Sequence, residues 1–205
     1  MNTLLIKSLS LAVGTSAAIG GGIWAWSNEI FSNSKNIKNK LISEKYQILT
    51  RTSDSWSSIF SKYSDTGNKD WKFDGEIKNV EDLKNTCEKV IKEKEENSSL
   101  YKKASKWCVV PRKAEEFVSG LLDVAEGKDG ESWKRVLAEY KKTKTGSSST
   151  YEMSDVTVTE SNSDQDADNI KKLQAGCTTR KGKLTYELDF DSSLDDMRKW
   201  CVDRK

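Results

Sequence analysis

The sequence predicts a mainly α-helical protein in which two tandem helical repeat units pack as one domain behind an N-terminal transmembrane helix. Three observations carry that reading. An uncharged apolar run fills Leu9 to Trp26. Beyond it, large apolar residues recur at helical spacing. The string Lys-Trp-Cys-Val occurs twice, at 106–109 and at 199–202, each time closing a similar series of segments.

The apolar run comes first. As a helix it would span ~27 Å, just short of a ~30 Å hydrocarbon core. Trp24 and Trp26 fall where an interfacial aromatic belt would lie. Residues 1–26 are therefore read as a membrane anchor. A cleaved signal segment and a soluble buried helix are the alternatives, because small residues such as Gly14, Ala17, Ala18 and Gly20 suit helix packing and signal-peptide processing alike. Residues 27–40 read as a polar stalk. Its Lys35, Lys38 and Lys40 follow the run closely, and by the positive-inside rule they would keep the rest of the chain in the cytoplasm. The cysteines point the other way.

The first unit is placed at 41–111. Trp56, Ile59, Phe60 and Tyr63 make an i, i+3, i+4, i+7 stripe, with Ser53 or Asp54 as N-cap. Residues 64–77 read as a loop whose Trp71 and Phe73 tuck inward. Asn79 caps a second helix carrying Leu83, Cys87 and Val90 on one face. Ser98 caps a third, which carries Ala104, Trp107 and Cys108 and is stopped by Pro111. Residues 112–131 read as a linking helix, with Phe117, Val118, Leu121, Leu122 and Ala125 as its apolar face and Gly127 as its end.

The second unit, 132–205, opens on Ser132-Trp133 and continues with Val136, Leu137 and Tyr140, matching Ser55, Trp56, Ile59, Phe60 and Tyr63 in spacing. Residues 143–168 are rich in Ser, Thr and Asp and read as a mobile acidic loop. Asp168 caps a helix bearing Leu173 and Cys177. A minor β element falls within 155–190, from Val156 and Val158 and from the alternation of Leu184, Tyr186, Leu188 and Phe190. Ser193, with Asp196 three residues on, starts the last helix, on which Met197, Trp200 and Cys201 share a face.

The four cysteines fall two per unit. Duplication favours the pairings Cys87–Cys108 and Cys177–Cys201, each closing its own unit; a loop of that size is worth ~3 kcal/mol in the chain-entropy model. Free buried thiols remain open, and they would go with a cytoplasmic domain. A four-cysteine zinc site is disfavoured, since it normally uses closely spaced pairs. Trp56, Trp107, Trp133 and Trp200 are read as structural anchors of the core.

Composition narrows the function. The net charge of +2 argues against a nucleic-acid partner, which would need a basic face. There is no His, so the Ser-His-Asp and Cys-His nucleophile pairs and imidazole metal ligands are excluded. Asp189, Asp191, Asp195 and Asp196 cluster in sequence but lack calcium-loop spacing. No phosphate-cradling Gly loop is present outside the apolar run. The expectation is no enzyme, no catalytic residue, no metal, no cofactor and no small-molecule substrate.

The layout resembles the large paralogous membrane and surface protein families of haemotropic mycoplasmas, wall-less parasites of red cells. The residues that carry the resemblance are the Gly/Ala-rich apolar segment, the Ser-Trp helix and the run Lys-Lys-Ala-Ser-Lys-Trp-Cys-Val-Val-Pro at 102–111. A second Trp helix ending Tyr140-Lys141-Lys142 and the C-terminal Lys-Trp-Cys-Val complete it. No activity is established for those families, so the resemblance implies a setting and not a mechanism. It implies a single-pass cell-membrane protein with an extracellular C-terminal domain, serving as an antigen or as a module that binds a host protein. A cytoplasm-facing, membrane-tethered structural protein with reduced thiols is the alternative.

Overall fold

The computed structural model describes residues 35–145, 150–159 and 166–204. The anchor assigned to residues 1–26 lies outside these, and among the described residues no helix is long and apolar enough to cross a membrane. Seven α-helices follow in order: α1 (Ile37–Ser43), α2 (Trp56–Ser64), α3 (Val80–Val90), α4 (Ser98–Trp107), α5 (Gly130–Lys141), α6 (Asp166–Lys181) and α7 (Phe190–Trp200). Two 3-10 turns, Thr66–Trp71 and Ala114–Phe117, lie between them. Backbone pairing outside the helices is confined to isolated bridges, so the described residues hold no sheet. The protein is mainly α, and residues 35–204 form one domain around one core.

Local chemistry explains most helix starts. Asn36, Asn79 and Asn97 each accept a backbone N–H three residues on, from Asn39, Asp82 and Leu100 respectively. For α4 the cap is thus Asn97, one residue before the expected Ser98. The last helix starts earlier than expected, behind Asp189, and Ser193 lies buried inside it. α6 shows no clean apolar stripe because it is enclosed on several sides: Asn169, Leu173, Gln174, Gly176, Cys177 and Arg180 are all buried.

One set of contacts occurs twice. Trp56 Nε1 donates to the Thr50 carbonyl at 2.8 Å, and Trp133 Nε1 donates to the Asp123 carbonyl at 2.9 Å. The Tyr63 and Trp107 rings meet edge-on at 5.3 Å, as Tyr140 and Trp200 do at 5.0 Å. Ile48 bridges Val109, and Leu121 bridges Val202. Asn36 bridges Lys94, and Lys113 bridges Leu184. The backbone N–H groups of Ile37 and Ala114 donate to the carbonyls of Glu93 and Lys183, at 2.9 and 2.8 Å.

These contacts correct several expectations. In place of the linking helix at 112–131 stand one 3-10 turn, a bend at Gly120 with φ +74°, the bridge of Leu121 to Val202 and a turn that leads into α5. Of the helix-spaced apolar residues there, Phe117 and Leu122 are buried and Leu121 joins the bridge. Residues 37–40, expected in the polar stalk, belong to α1, in which Ile37 and Leu41 are fully buried; residues 27–34 lie outside the described residues. Leu184 to Phe190 is not a strand: Leu184 makes one bridge, then Glu187 N–H turns back to the Leu184 carbonyl and Leu188 is left exposed. The described part of 143–168 is not a loose loop, because Tyr151, Met153, Val156 and Val158 are buried. Val156 and Val158 pair with no strand, so the minor β element of 155–190 is absent among the described residues.

Candidate functional site

All four cysteines form disulfides, Cys87 with Cys108 and Cys177 with Cys201, with Cα atoms 5.3 and 5.8 Å apart. Each ties a Cys-bearing helix, α3 or α6, to the residue that caps α4 or α7. Trp56, Trp107, Trp133 and Trp200 are all buried. The two disulfides fit an oxidising, extracellular environment. The eight residues singled out in the sequence therefore converge on core contacts, and of them Trp56, Cys87 and Cys108 border a small cavity of about 20 Å³ beside Arg51 and Glu88.

The lysines of the two Lys-Trp-Cys-Val strings have opposite fates. The Lys106 side chain is 1% exposed. Its Nζ donates to Asp191 Oδ2 and to the Glu187 carbonyl, both at 3.2 Å, and lies 4.4 Å from the centroid of the Trp71 ring. Burial pushes its pKa below the ordinary lysine value, while the charge of Asp191 and the hydrogen bond to it oppose that shift. Lys199 is half-exposed and pairs with Glu152 on the surface. The sequence offers no signal for this difference, because it depends on partners far along the chain.

A second polar cluster pins the acidic segment. Arg180, on the buried side of α6, donates from Nε to Asp196 Oδ2 at 2.6 Å and from its terminal nitrogens to both Asp155 oxygens at 2.7 and 3.0 Å. Burial works against its charge, and the hydrogen bonds it donates to Asp155 and Asp196 outweigh burial, so its pKa rises. The Tyr140 hydroxyl lies within hydrogen-bond reach of the Met153 and Val156 carbonyls, and Asn169 holds Thr159 through both N–H and carbonyl. Of the clustered aspartates, Asp191 pairs with Lys106, Asp189 with Lys183, Asp196 with Arg180 and Asp195 with Arg198. Their charge is met by side chains, and no carboxylate or thiol cluster among the described residues is arranged to hold a metal.

A shallow open groove of about 440 Å³ is lined by Phe117, Val118, Ser119, Gly120, Arg198, Val202 and Asp203. A neighbouring depression adds Lys199 and Arg204 to the same edge. Compared with protein-family models, curated proteins and solved structures, the chain matches none.

Proposed function

We propose that this is a membrane-anchored, surface-exposed module, built from two copies of one disulfide-closed helical unit, that acts as an antigen or meets a host protein and carries out no catalysis. The observation that carries the reading is the pair of disulfides, one within each half. Cytosolic thiols stay reduced, whereas exported domains use such bonds to hold small cores. The two-copy reading is supported by the contacts that recur around Trp107 and Trp200, and by four cysteines that pair without crossing between halves. The membrane setting rests on Leu9–Trp26 and on the resemblance to haemotropic mycoplasma families.

In this reading the buried tryptophans and disulfides keep the frame fixed, while exposed positions in 64–77 and 143–168 are the recognition surface. Even these segments are held at one side by Phe73 and by Tyr151, Met153, Val156 and Val158, so only their outer positions are free to vary. The test is protease shaving of intact cells together with a non-reducing peptide map. Cleavage from outside and the two within-half bonds are expected. A protected chain with free thiols would instead establish the cytoplasm-facing tethered protein.

A further inference from the structure

The groove beside Arg198 and Val202 has a counterpart in the first half, and that counterpart is filled. The recurring contacts fix the correspondence: Leu122 N–H donates to the Cys201 carbonyl as Leu49 N–H does to that of Cys108, and Cys201 N–H donates to Met197 as Cys108 N–H does to Ala104. Counting from these anchors, Ser119 stands where Tyr46 stands, Arg198 where Ser105 stands, Lys199 where Lys106 stands and Val202 where Val109 stands. In the first half Tyr46, Ser105, Lys106 and Val109 are all buried. Residues of the second half, from the 3-10 turn Ala114–Phe117 and the head of α7, lie against Tyr46 and Lys106. The Phe117 ring packs tilted against Tyr46 at 5.0 Å, Phe190 meets Phe117 edge-on at 5.4 Å, and Asp191 accepts from the Lys106 ammonium. In the second half Ser119, Arg198 and Lys199 are exposed and Val202 is half-buried.

We infer that the Ser119–Arg198–Val202 groove is a docking site for an aromatic–acidic segment of a partner protein, seated as Phe190-Asp191 is seated against the first half. The proposal rests on the two-copy reading above. The chemistry of the groove matches that occupant. Phe117, Val118 and Val202 are its apolar lining and Arg198 its cation, and Lys199 and Arg204 line the adjoining depression that shares Arg198 and Val202. Asp203 is already taken by Arg135 at 2.8 Å, and Asp195 and Glu152 face Arg198 and Lys199 as exchangeable surface partners. A surface ion pair of this kind is worth little, so an incoming carboxylate displaces it at small cost. A second copy of this chain is the poorer occupant. The last helix of its first half carries Asn97 and Ser98 at the head of α4, where the second half carries Phe190 and Asp191 at the head of α7. It lacks both the ring and the carboxylate.

The probe is a synthetic peptide of residues 184–194, fluorescently labelled and titrated into the full chain in detergent micelles. Saturable binding is expected, weakened by about tenfold or more when Arg198→Glu or Ser119→Trp alters the groove, and lost when Phe190 and Asp191 of the peptide are alanine. Both altered positions are exposed, and unchanged thermal melting of the two variants shows that the fold is kept. No saturable binding overturns the proposal, as does binding that ignores both groove variants. Self-association of the chain that Ser119→Trp abolishes makes the occupant a second copy and overturns it too. The full chain carrying Phe190→Ala and Asp191→Asn opens the first socket. Two peptide sites there are expected; a single site would remove the two-copy reading while leaving the binding itself in place.

Discussion

Lys106 and Asp191, 85 residues apart, form an ion pair in which a wholly buried cation of the first half reaches a carboxylate of the second. The ammonium sits between Trp71 and Phe190, and only Asp191 and the Glu187 carbonyl answer its hydrogen-bond donors. An uncompensated buried charge is costly, whereas a well-packed apolar replacement for a buried pair is often neutral or stabilising. Asp191→Asn should therefore cost about 1–2 kcal/mol in urea unfolding. Lys106→Met should fall within about 1 kcal/mol of the parent. A Lys106→Met chain that unfolds much more easily than Asp191→Asn would show that the ammonium itself, and not the space it fills, holds the halves together.

The same pair sets a dependence on alkaline pH. Folding lowers the pKa of Lys106 below the unfolded value of 10.5, burial being the larger cause. Between the folded and unfolded values the unfolded chain binds more protons, so this group makes stability rise with pH in that window. Below the window both states are protonated and the cost of burial is present in full. The stability difference between Lys106→Met and the parent should shift in favour of the parent as pH approaches 10.5. A difference that stays constant from neutral pH to 10.5 would contradict it.

The opposite limb belongs to Asp155. The hydrogen bond from Arg180 holds its carboxyl below the usual value of 3.8, with desolvation opposing. A depressed carboxyl contributes stability above its unfolded pKa and loses it as pH falls through the folded one. Asp155→Asn should flatten the acid limb of stability below pH 3.8 and leave the alkaline limb unchanged. Chemical denaturation at stepped pH reads both limbs at once.

How much of this was legible in the sequence follows from the range of each interaction. Cysteine pairing and the four tryptophan anchors were legible because each half repeats them at similar local spacing. Asn79 was legible as a cap because capping is decided within three residues. Residues 112–131 misled because Phe117, Val118, Leu121 and Leu122 match helical spacing while each answers to a different distant neighbour, Val202 for Leu121 and Tyr46 for Phe117. Leu184 to Phe190 misled for the same reason, its alternation ending in a turn into α7. The burial of Lys106 and the clamp of Arg180 were invisible, since each is made by partners brought together only by the fold. The groove was equally hidden, because it is defined by what fills the corresponding place in the other half.

Removing the second disulfide tests whether each half depends on its own closure. Cys177 and Cys201 are separated by 24 residues and are fully buried beside Trp200. Replacing both with Ala removes the cross-link from the unfolded chain, and a loss of about 3 kcal/mol is expected from the chain-entropy model. The Cys87–Cys108 pair should cost a similar amount, its separation being 21 residues. Urea midpoints of the two double variants check this, and a large difference between them would show that the halves do not share the load evenly.

Gly176 gives the sharpest local test of how the acidic segment is packed. A Cβ at this position would lie 2.4 Å from Val156 Cγ2, closer than side chains approach one another. α6 can therefore receive Val156 only where the helix has no side chain of its own. Tyr140 and Arg180 hold the backbone and Asp155 at the same place, so Val156 cannot simply swing outward. Gly176→Ala gains helix propensity, by about 1 kcal/mol. Overpacking of a filled core costs about 1–3 kcal/mol, and with Val156 held on two sides the upper part of that range applies. The net change should be a loss of about 1–2 kcal/mol. Val156→Ala alone leaves a gap and should also destabilise. The double variant Gly176→Ala/Val156→Ala should recover much of the loss, because the new methyl occupies the space that valine gives up. Additive costs in that cycle would mean that the two side chains do not compete for one space, and that the segment 151–159 is free to lift from α6.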